Sequence, residues 1–67
     1  MKLTAYRPDP PDGPWILDLE DGAIRFWSPD PASRAELERA AGSADAIRLD
    51  ARLEGGELEI ERVLETW

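Results

Sequence analysis

Carboxylates are the most abundant chemically active side chains in this 67-residue chain, which has 15 Asp and Glu but neither histidine nor cysteine. Asp18 and Glu20 stand two residues apart, and on a strand this spacing places both side chains on one face. A general acid needs a buried carboxyl group with a raised pKa, and nothing in the sequence marks one. The three serines have no histidine to activate them. We therefore predict that the protein is not an enzyme and has no catalytic residue.

Metal binding would depend on oxygen ligands alone, because the usual nitrogen and sulfur ligands are absent from the chain. The acidic stretches at residues 9–12 and 17–21 lack the Asp spacing, and the following Gly and Glu, of a calcium-binding loop. The sequence therefore predicts no metal site, and it indicates no cofactor.

Alternation of apolar and polar residues predicts five strands. The first covers residues 2–7, a hairpin covers 15–27 with its turn at Asp21-Gly22, and a second hairpin covers 46–67 with its turn at Gly55-Gly56. We expect Asp21 and Gly22 to supply the positive φ angles of a tight turn. A helix over residues 57–67 is the alternative, which the double glycine and the strict alternation disfavour. The alternation breaks at residues 62–64, which predicts a bulge or a change of face.

Residues 28–43 predict one short helix between the two hairpins. Asp30 can be its N-cap with Pro31 at the first helical position, or Ser33 and Glu36 can form a capping box one turn later. Apolar side chains recur at helical spacing and include a single large one: Leu37, Ala40, Ala41 and Ala44. Gly42 is a natural C-terminal stop. The helix should pack closely on the strands without itself forming the core.

The stretch RPDPPDGPW, residues 7–15, contains four prolines. A free proline-rich ligand or an interdomain linker would need a second domain or a disordered context, and 67 residues predict one domain, 1–67. We therefore expect a stiff loop between the first two strands, with a turn at Asp12-Gly13 before Trp15 enters the sheet.

Five strands with one helix between the third and fourth resemble the OB-fold, a small five-stranded barrel. An SH3-like barrel or an open α+β meander fits the same order. The resemblance is one of topology and covers the whole chain. It implies a binding module that uses the face of strands 2 and 3, the loop joining strands 1 and 2, and the turn joining strands 4 and 5.

Aromatic and arginine side chains on these elements form the predicted partner-binding site: Tyr6, Arg7, Trp15, Arg25 and Trp27. These residue types dominate the hot spots of protein interfaces. Alternation places Arg25 and Trp27 on one face of the third strand, opposite Phe26. The alternative interpretation is that Trp15 closes the core and Trp27 covers the start of the helix.

The net charge of −7 opposes nucleic-acid phosphate and anionic membranes. We therefore predict an acidic module that binds a protein partner, with single-stranded nucleic-acid binding through the same face as the alternative. A homodimer through an exposed edge strand is left open. No apolar run is long enough for a membrane span or a signal peptide, so we expect a cytoplasmic protein. The absence of Asn, Gln and Cys is typical of thermophilic proteins or of a GC-rich gene.

Overall fold

The computed structural model describes residues 1–55 and 57–67, so the predicted Gly55-Gly56 turn lies partly outside the described residues. Its elements in chain order are β1 (Lys2–Tyr6), β2 (Trp15–Leu19), β3 (Ile24–Trp27), α1 (Pro31–Ala41), β4 (Ala46–Glu54) and β5 (Glu57–Thr66). This order confirms the prediction of a mainly β fold with one short helix between the third and fourth strands.

The five strands form one antiparallel sheet in the order β3-β2-β1-β4-β5. Among the described residues, β3 and β5 each pair on one side only, so they are the two edges and hydrogen bonds do not close the sheet into a barrel. The architecture is compatible with a small barrel-like fold that remains open between β3 and β5.

The core lies on the sheet face that α1 covers. Alternation sends every second side chain of each strand to this face. The largest completely buried side chains are Leu3, Trp15, Leu17, Leu37, Ile47 and Leu49. Leu37 comes from α1 and the other five come from β1, β2 and β4. The helix therefore contributes one large side chain to a core that is built mainly by the sheet.

The N-terminal end of α1 is joined to β5 by a side chain. Asp30 is the N-cap and Pro31 follows it, as predicted. The capping-box alternative is wrong, because Ser33 lies inside the helix and its Oγ accepts a hydrogen bond from the backbone N–H of Leu58 at 3.0 Å. This buried bond satisfies a donor of edge strand β5 and fixes the helix against it.

Glycines end the first hairpin loop and the helix. Gly22 has a φ of 90° and Gly42 a φ of 60°, conformations that side chains with a Cβ rarely adopt. The expectation of positive φ at Asp21 is wrong, because no described residue other than glycine has one. Asp21 instead accepts a hydrogen bond at Oδ1 from the Ala23 N–H at 2.9 Å. A short polar side chain therefore stabilises the loop without a strained backbone.

β5 is a strand, as predicted, and it carries the predicted irregularity. Its register with β4 shifts between Arg48 and Leu49 and again between Asp50 and Ala51. Each shift leaves one residue of β5 without a partner, which is the pattern of a β-bulge. The side chains of β5 therefore change face along the strand, and the sequence alternation breaks for this reason.

The proline-rich segment is the ordered loop between β1 and β2. The Gly13 N–H donates to the Pro10 carbonyl at 2.8 Å, which forms the turn before β2. From the helix, the Arg34 guanidinium donates long hydrogen bonds of 3.5 Å to the Pro11 carbonyl and 3.4 Å to the Gly13 carbonyl. The loop is thus held against α1.

Candidate functional site

The two predicted tryptophans are core residues. Trp15 is completely buried, Trp27 is 6% exposed, and the two pair across β2 and β3. Their indole rings therefore offer almost no surface to a partner, and the core alternative describes their place in the fold. Neither indole Nε1 has a hydrogen-bond partner among the described residues. Both tryptophans stabilise the fold by packing within the hydrophobic core.

Arg7 is engaged within the protein. Its guanidinium donates to the Gly42 carbonyl at 2.9 Å, to the Ala44 carbonyl at 3.0 Å and to the Glu38 carboxylate. The same group lies over the Trp15 ring, 5.5 Å from the ring centre. Carbonyl groups at a helix C-terminus attract cations. The structure therefore places Arg7 as a clamp between the start of the proline loop and the end of α1.

Arg25 and Tyr6 lie on opposite faces of the sheet. Arg25 pairs with Leu17 and so points to the helix-facing side, where it remains exposed because β3 is an edge strand. Tyr6 pairs with Ile16 and lies on the other side, which we call the open face. The five predicted binding residues are therefore divided among the core, the helix clamp and two surfaces.

The open face carries a line of apolar side chains that crosses β3, β2, β1 and β4 and ends at Trp67, immediately after β5. Cross-strand pairing aligns Phe26 with Ile16, Ile16 with Tyr6 and Tyr6 with Ala46. Two backbone hydrogen bonds of 2.9 and 3.0 Å then pair Ala46 with Trp67. Paired residues of an antiparallel sheet have their side chains on the same face. We call this line of Phe26, Ile16, Tyr6, Ala46 and Trp67 the aromatic row.

Much of the aromatic row is accessible to solvent. Phe26 is 75% exposed, Trp67 56% and Tyr6 40%, and Ile24, beside Phe26, is 58% exposed. Five strands at a spacing of about 4.8 Å make the row roughly 19 Å long. Single exposed apolar residues are ordinary, but an aligned set of this length is typical of a contact surface.

Charged residues border the aromatic row along the strands. The adjacent line of paired residues is Ile24, Asp18, Thr4, Arg48 and Glu65. Arg48 donates to the Thr4 hydroxyl at 3.3 Å. The open face therefore consists of an apolar strip with a polar margin, which is the usual composition of a protein interface.

The Asp30 carboxyl group has a lowered pKa. The Ser33 side chain lowers it from the ordinary value of 3.8, burial opposes this change, and the backbone N–H groups of Ala32 and Ser33 add to the lowering. The Asp30 side chain makes no capping hydrogen bond to the first backbone N–H groups of α1. A general acid requires a raised pKa. Asp30 is therefore suited to stabilise the helix start and unsuited to donate a proton.

The described residues contain neither a metal-ligand cluster nor a membrane-spanning helix. Within residues 1–55 and 57–67, no three acidic side chains are grouped as metal ligands. In the same part of the chain, no helix is both long and apolar enough to cross a membrane. Comparisons with models of known protein families, with curated proteins and with solved structures gave no match.

Most of the aromatic row was absent from the predicted site. Alternation did place Phe26 opposite Trp27, but the sequence alone does not show which of the two faces is covered by the helix. Trp67 joins the row only because two register shifts in β5 precede it. Residue type could have identified Phe26 and Trp67 as candidates, whereas their alignment depends on strand pairing.

Proposed function

We infer that this protein is a non-enzymatic interaction module that binds a protein partner through the open face of β1, β2 and β3. The observation that carries this proposal is the exposure of the aromatic row. Aromatic side chains bury large areas with little loss of conformational entropy, and they are enriched at the centres of protein interfaces. The proposal keeps the predicted β2–β3 hairpin but places the contact on its open face.

The resemblance to an OB-fold supports the location. Such barrels bind through the face of strands 2 and 3 and the adjoining loops. Here the proline loop joins Tyr6 to Trp15 and therefore adjoins the aromatic row where β1 meets β2. In our proposal the start of the loop, next to Tyr6, borders the contact surface, while Arg34 holds the turn at Pro11 and Gly13 against α1.

Single-stranded nucleic acid is the second candidate partner, and the aromatic rings of Phe26, Tyr6 and Trp67 favour it. Bases stack on exposed aromatic rings in single-strand-binding proteins. Phosphate contacts need basic side chains, however, and the margin of the row pairs Arg48 with Glu65 and also contains Asp18. We therefore rank nucleic acid below protein.

The test is affinity capture from the native lysate with the wild-type protein and a Phe26→Ser variant. Phe26 is mostly exposed, so the substitution should leave the fold intact. We expect the same bound protein to be captured by the wild type and lost with the variant. Thr66→Ser, which alters an exposed site outside the aromatic row, is the matched control and should retain the partner.

Two results would contradict the proposal. One is capture of the same proteins by the wild type and by Phe26→Ser, because the open face would then make no contribution. The other is tight binding of a labelled single-stranded oligonucleotide that weakens steeply with salt, which would favour the second candidate.

A further inference from the structure

The aromatic row is arranged symmetrically about the central strand of the sheet. β1 is the third of the five strands, with β2 and β3 on one side and β4 and β5 on the other. Tyr6 lies on β1, and the exposed rings of Phe26 and Trp67 lie at the two ends of the row. Each end is two strand spacings, or about 10 Å, from β1. The row therefore has a large aromatic group at the same distance on either side of Tyr6.

The line of residues next to the row carries opposite charges on the two sides of β1. Thr4 lies on β1 and pairs with Asp18 of β2 on one side and with Arg48 of β4 on the other. Each charged group is thus one strand from β1. The ion pairs identified in the described part of the chain involve neither Asp18 nor Arg48. Both charges are therefore available to a group that approaches the open face.

The charges nearest the row are balanced in sign, although the whole chain carries a net charge of −7. The first two lines of paired residues beside the row contain three carboxylates and three basic groups: Lys2, Asp18, Arg48, Asp50, Arg62 and Glu65. Like charges across an interface oppose association. Two copies of this face meet without such single-sign opposition, because each contains both signs.

We propose that the open face binds the open face of a second copy of this chain, so that the two sheets pack face to face about a two-fold axis along β1. Such an axis exchanges β2 with β4 and β3 with β5 between the copies, and every contact occurs twice. Asp18 of each copy then faces Arg48 of the other. Phe26 of each copy faces Trp67 of the other, and Tyr6 meets its own equivalent on the axis. This inference rests on the proposed function and names its protein partner.

The geometry of packed sheets is compatible with these contacts. Two aligned sheets pack about 10 Å apart with their strands crossing at about 30°. This crossing displaces strands that lie about 4.8 Å from the axis by only about 2.5 Å, so Asp18 and Arg48 stay opposite each other. Five strands of about five residues offer roughly 400 Å² of flat area for each copy, below the roughly 800 Å² per partner of a standard interface. We therefore expect a weak, reversible dimer.

Other occupants gain less from this arrangement. A strongly basic or strongly acidic segment would meet charges of both signs beside the row. Nucleic acid would bring phosphates against the carboxylates. Pairing of two β3 edges would use only the four residues Ile24–Trp27 and would leave Tyr6 and Trp67 uncovered. A second copy is the occupant that brings unlike charges together on both sides of β1.

Charge reversal tests the proposed pair by sedimentation equilibrium from about 10 µM to about 1 mM protein. At about 150 mM salt the Debye length is about 8 Å, so distant charges are screened. Asp18→Arg and Arg48→Asp should each weaken the dimer at least about ten-fold, because each variant places two like-charge pairs in the interface. An equimolar mixture of the two variants should regain the wild-type affinity within about three-fold. The mixed dimer has one native pair and one introduced pair, both of opposite charge.

Two control variants separate this pair from the effect of net charge. Asp18→Arg changes the net charge from −7 to −5, because a negative group becomes positive. Relief of general repulsion would therefore strengthen the dimer, whereas we expect weakening. Asp12→Arg and Arg25→Asp make the same changes of charge away from the open face, in the proline loop and on the helix-facing side. These controls should change the affinity by less than about three-fold, since screened distant charges contribute little.

Tyrosine cross-linking is a second measurement that needs no charge variant, and it decides the question if those variants fail to fold. Tyr6 is the one tyrosine of the chain, so a dityrosine bond can only join two copies. Its place on the proposed axis predicts that photo-oxidation of the wild type yields a cross-linked dimer. Phe26→Ser supplies the background from random collisions and should give at least about ten-fold less product, because each dimer loses two aromatic contacts.

The outcomes distinguish this inference from the proposed function. A wild-type protein that stays monomeric to about 1 mM overturns the dimer. Capture of a different protein, lost with Phe26→Ser, would then still support the proposed function. A dimer that Phe26→Ser leaves intact, or single charge variants that associate as well as the wild type, overturns the face-to-face arrangement. Failure of the equimolar mixture to regain affinity overturns the pairing of Asp18 with Arg48 and with it the axis along β1.

Discussion

The Arg7 guanidinium donates hydrogen bonds to three groups of the C-terminal region of α1 and lies over the Trp15 ring. From the sequence alone, Arg7 begins a proline-rich stretch and is expected to lie on the surface. In the fold, it joins the end of β1, the helix end and the core tryptophan. A charged side chain with this many partners is a structural element, since loss of the guanidinium leaves carbonyl groups at the helix end without donors.

We expect Arg7→Ala to lower the free energy of unfolding by about 1.5–3 kcal/mol, the range for hydrogen bonds that involve a charged group. Arg7→Lys should recover less than half of this loss, because an ammonium group cannot match the fork geometry of guanidinium. Urea denaturation followed by tryptophan fluorescence measures both effects. Arg39→Ala, an exposed arginine in the last turn of α1, is the control and should cost no more than about 0.5–1 kcal/mol. Equal losses for Arg7→Ala and Arg39→Ala would contradict the clamp.

Asp30 gives a prediction about pH. Its pKa is lower in the folded protein than the ordinary value of 3.8, so the unfolded state binds the proton more tightly. The stabilisation by the ionised carboxyl is therefore present above about pH 4 and is lost as the pH falls through the folded pKa. Asn remains a good N-cap but does not titrate. The stability advantage of the wild type over Asp30→Asn should consequently shrink on acidification.

Unfolding midpoints in urea between about pH 6 and pH 2 test this expectation, since that range spans the titration of carboxyl groups. The same series with Asp12→Asn, in the exposed proline loop, corrects for the loss of one negative charge. A difference between wild type and Asp30→Asn that stays constant with pH would show that the Asp30 charge does not stabilise the helix start.

At the scale of elements, α1 is held to the sheet by few contacts. Leu37 is its one large apolar side chain in the core, supported by Ala41, and the Ser33 hydroxyl accepts the bond from the Leu58 N–H. Small residues let the helix approach the sheet closely, which increases dispersion contacts for each residue. The helix therefore depends on a single side chain for most of its burial.

We expect Leu37→Ala to cost about 2–5 kcal/mol, the usual range for a large buried aliphatic side chain. A 67-residue domain has a total stability of only about 3–10 kcal/mol at 0.05–0.15 kcal/mol per residue. The variant should therefore lose a large share of its stability and unfold at a markedly lower temperature than the wild type, as circular dichroism would measure. Val63→Ala, at a 43% exposed position of β5, is the control and should remain folded. A Leu37→Ala protein as stable as this control would show that α1 is not part of the cooperative unit.

At the scale of the whole molecule, a net charge of −7 is spread over a protein with a radius of gyration of 10.5 Å. The ion pairs identified among the described residues involve Arg7 with Glu38 and the N-terminal amine with Asp50. Fifteen carboxylates thus repel one another with little local compensation. Such self-repulsion destabilises a compact state.

We expect added sodium chloride to stabilise the protein, because salt screens repulsion between surface carboxylates. Relief of about 1 kcal/mol would raise the thermal midpoint by about 4–8 °C for a domain of this size. Thermal unfolding at about 10 mM and 500 mM salt measures this shift in the midpoint. Between these two concentrations the Debye length falls from about 30 Å to a few ångströms. Arg7→Ala, which also adds one net negative charge, should show a larger increase. A fall in the midpoint would mean that attractive pairs dominate the electrostatics.

Local signals in the sequence were sufficient to predict the strands and the helix, whereas long-range packing sets which residues form the proposed contact surface. Alternation, the Asp30-Pro31 start and the Gly42 stop are local signals, so five strands and a helix could be predicted from them. Which strand face is buried depends on the helix lying over it. This packing puts Trp15 and Trp27 in the core and leaves Phe26 exposed, although all three are aromatic residues of one hairpin. The alignment of Phe26, Tyr6 and Trp67 depends on long-range register, which no local pattern encodes.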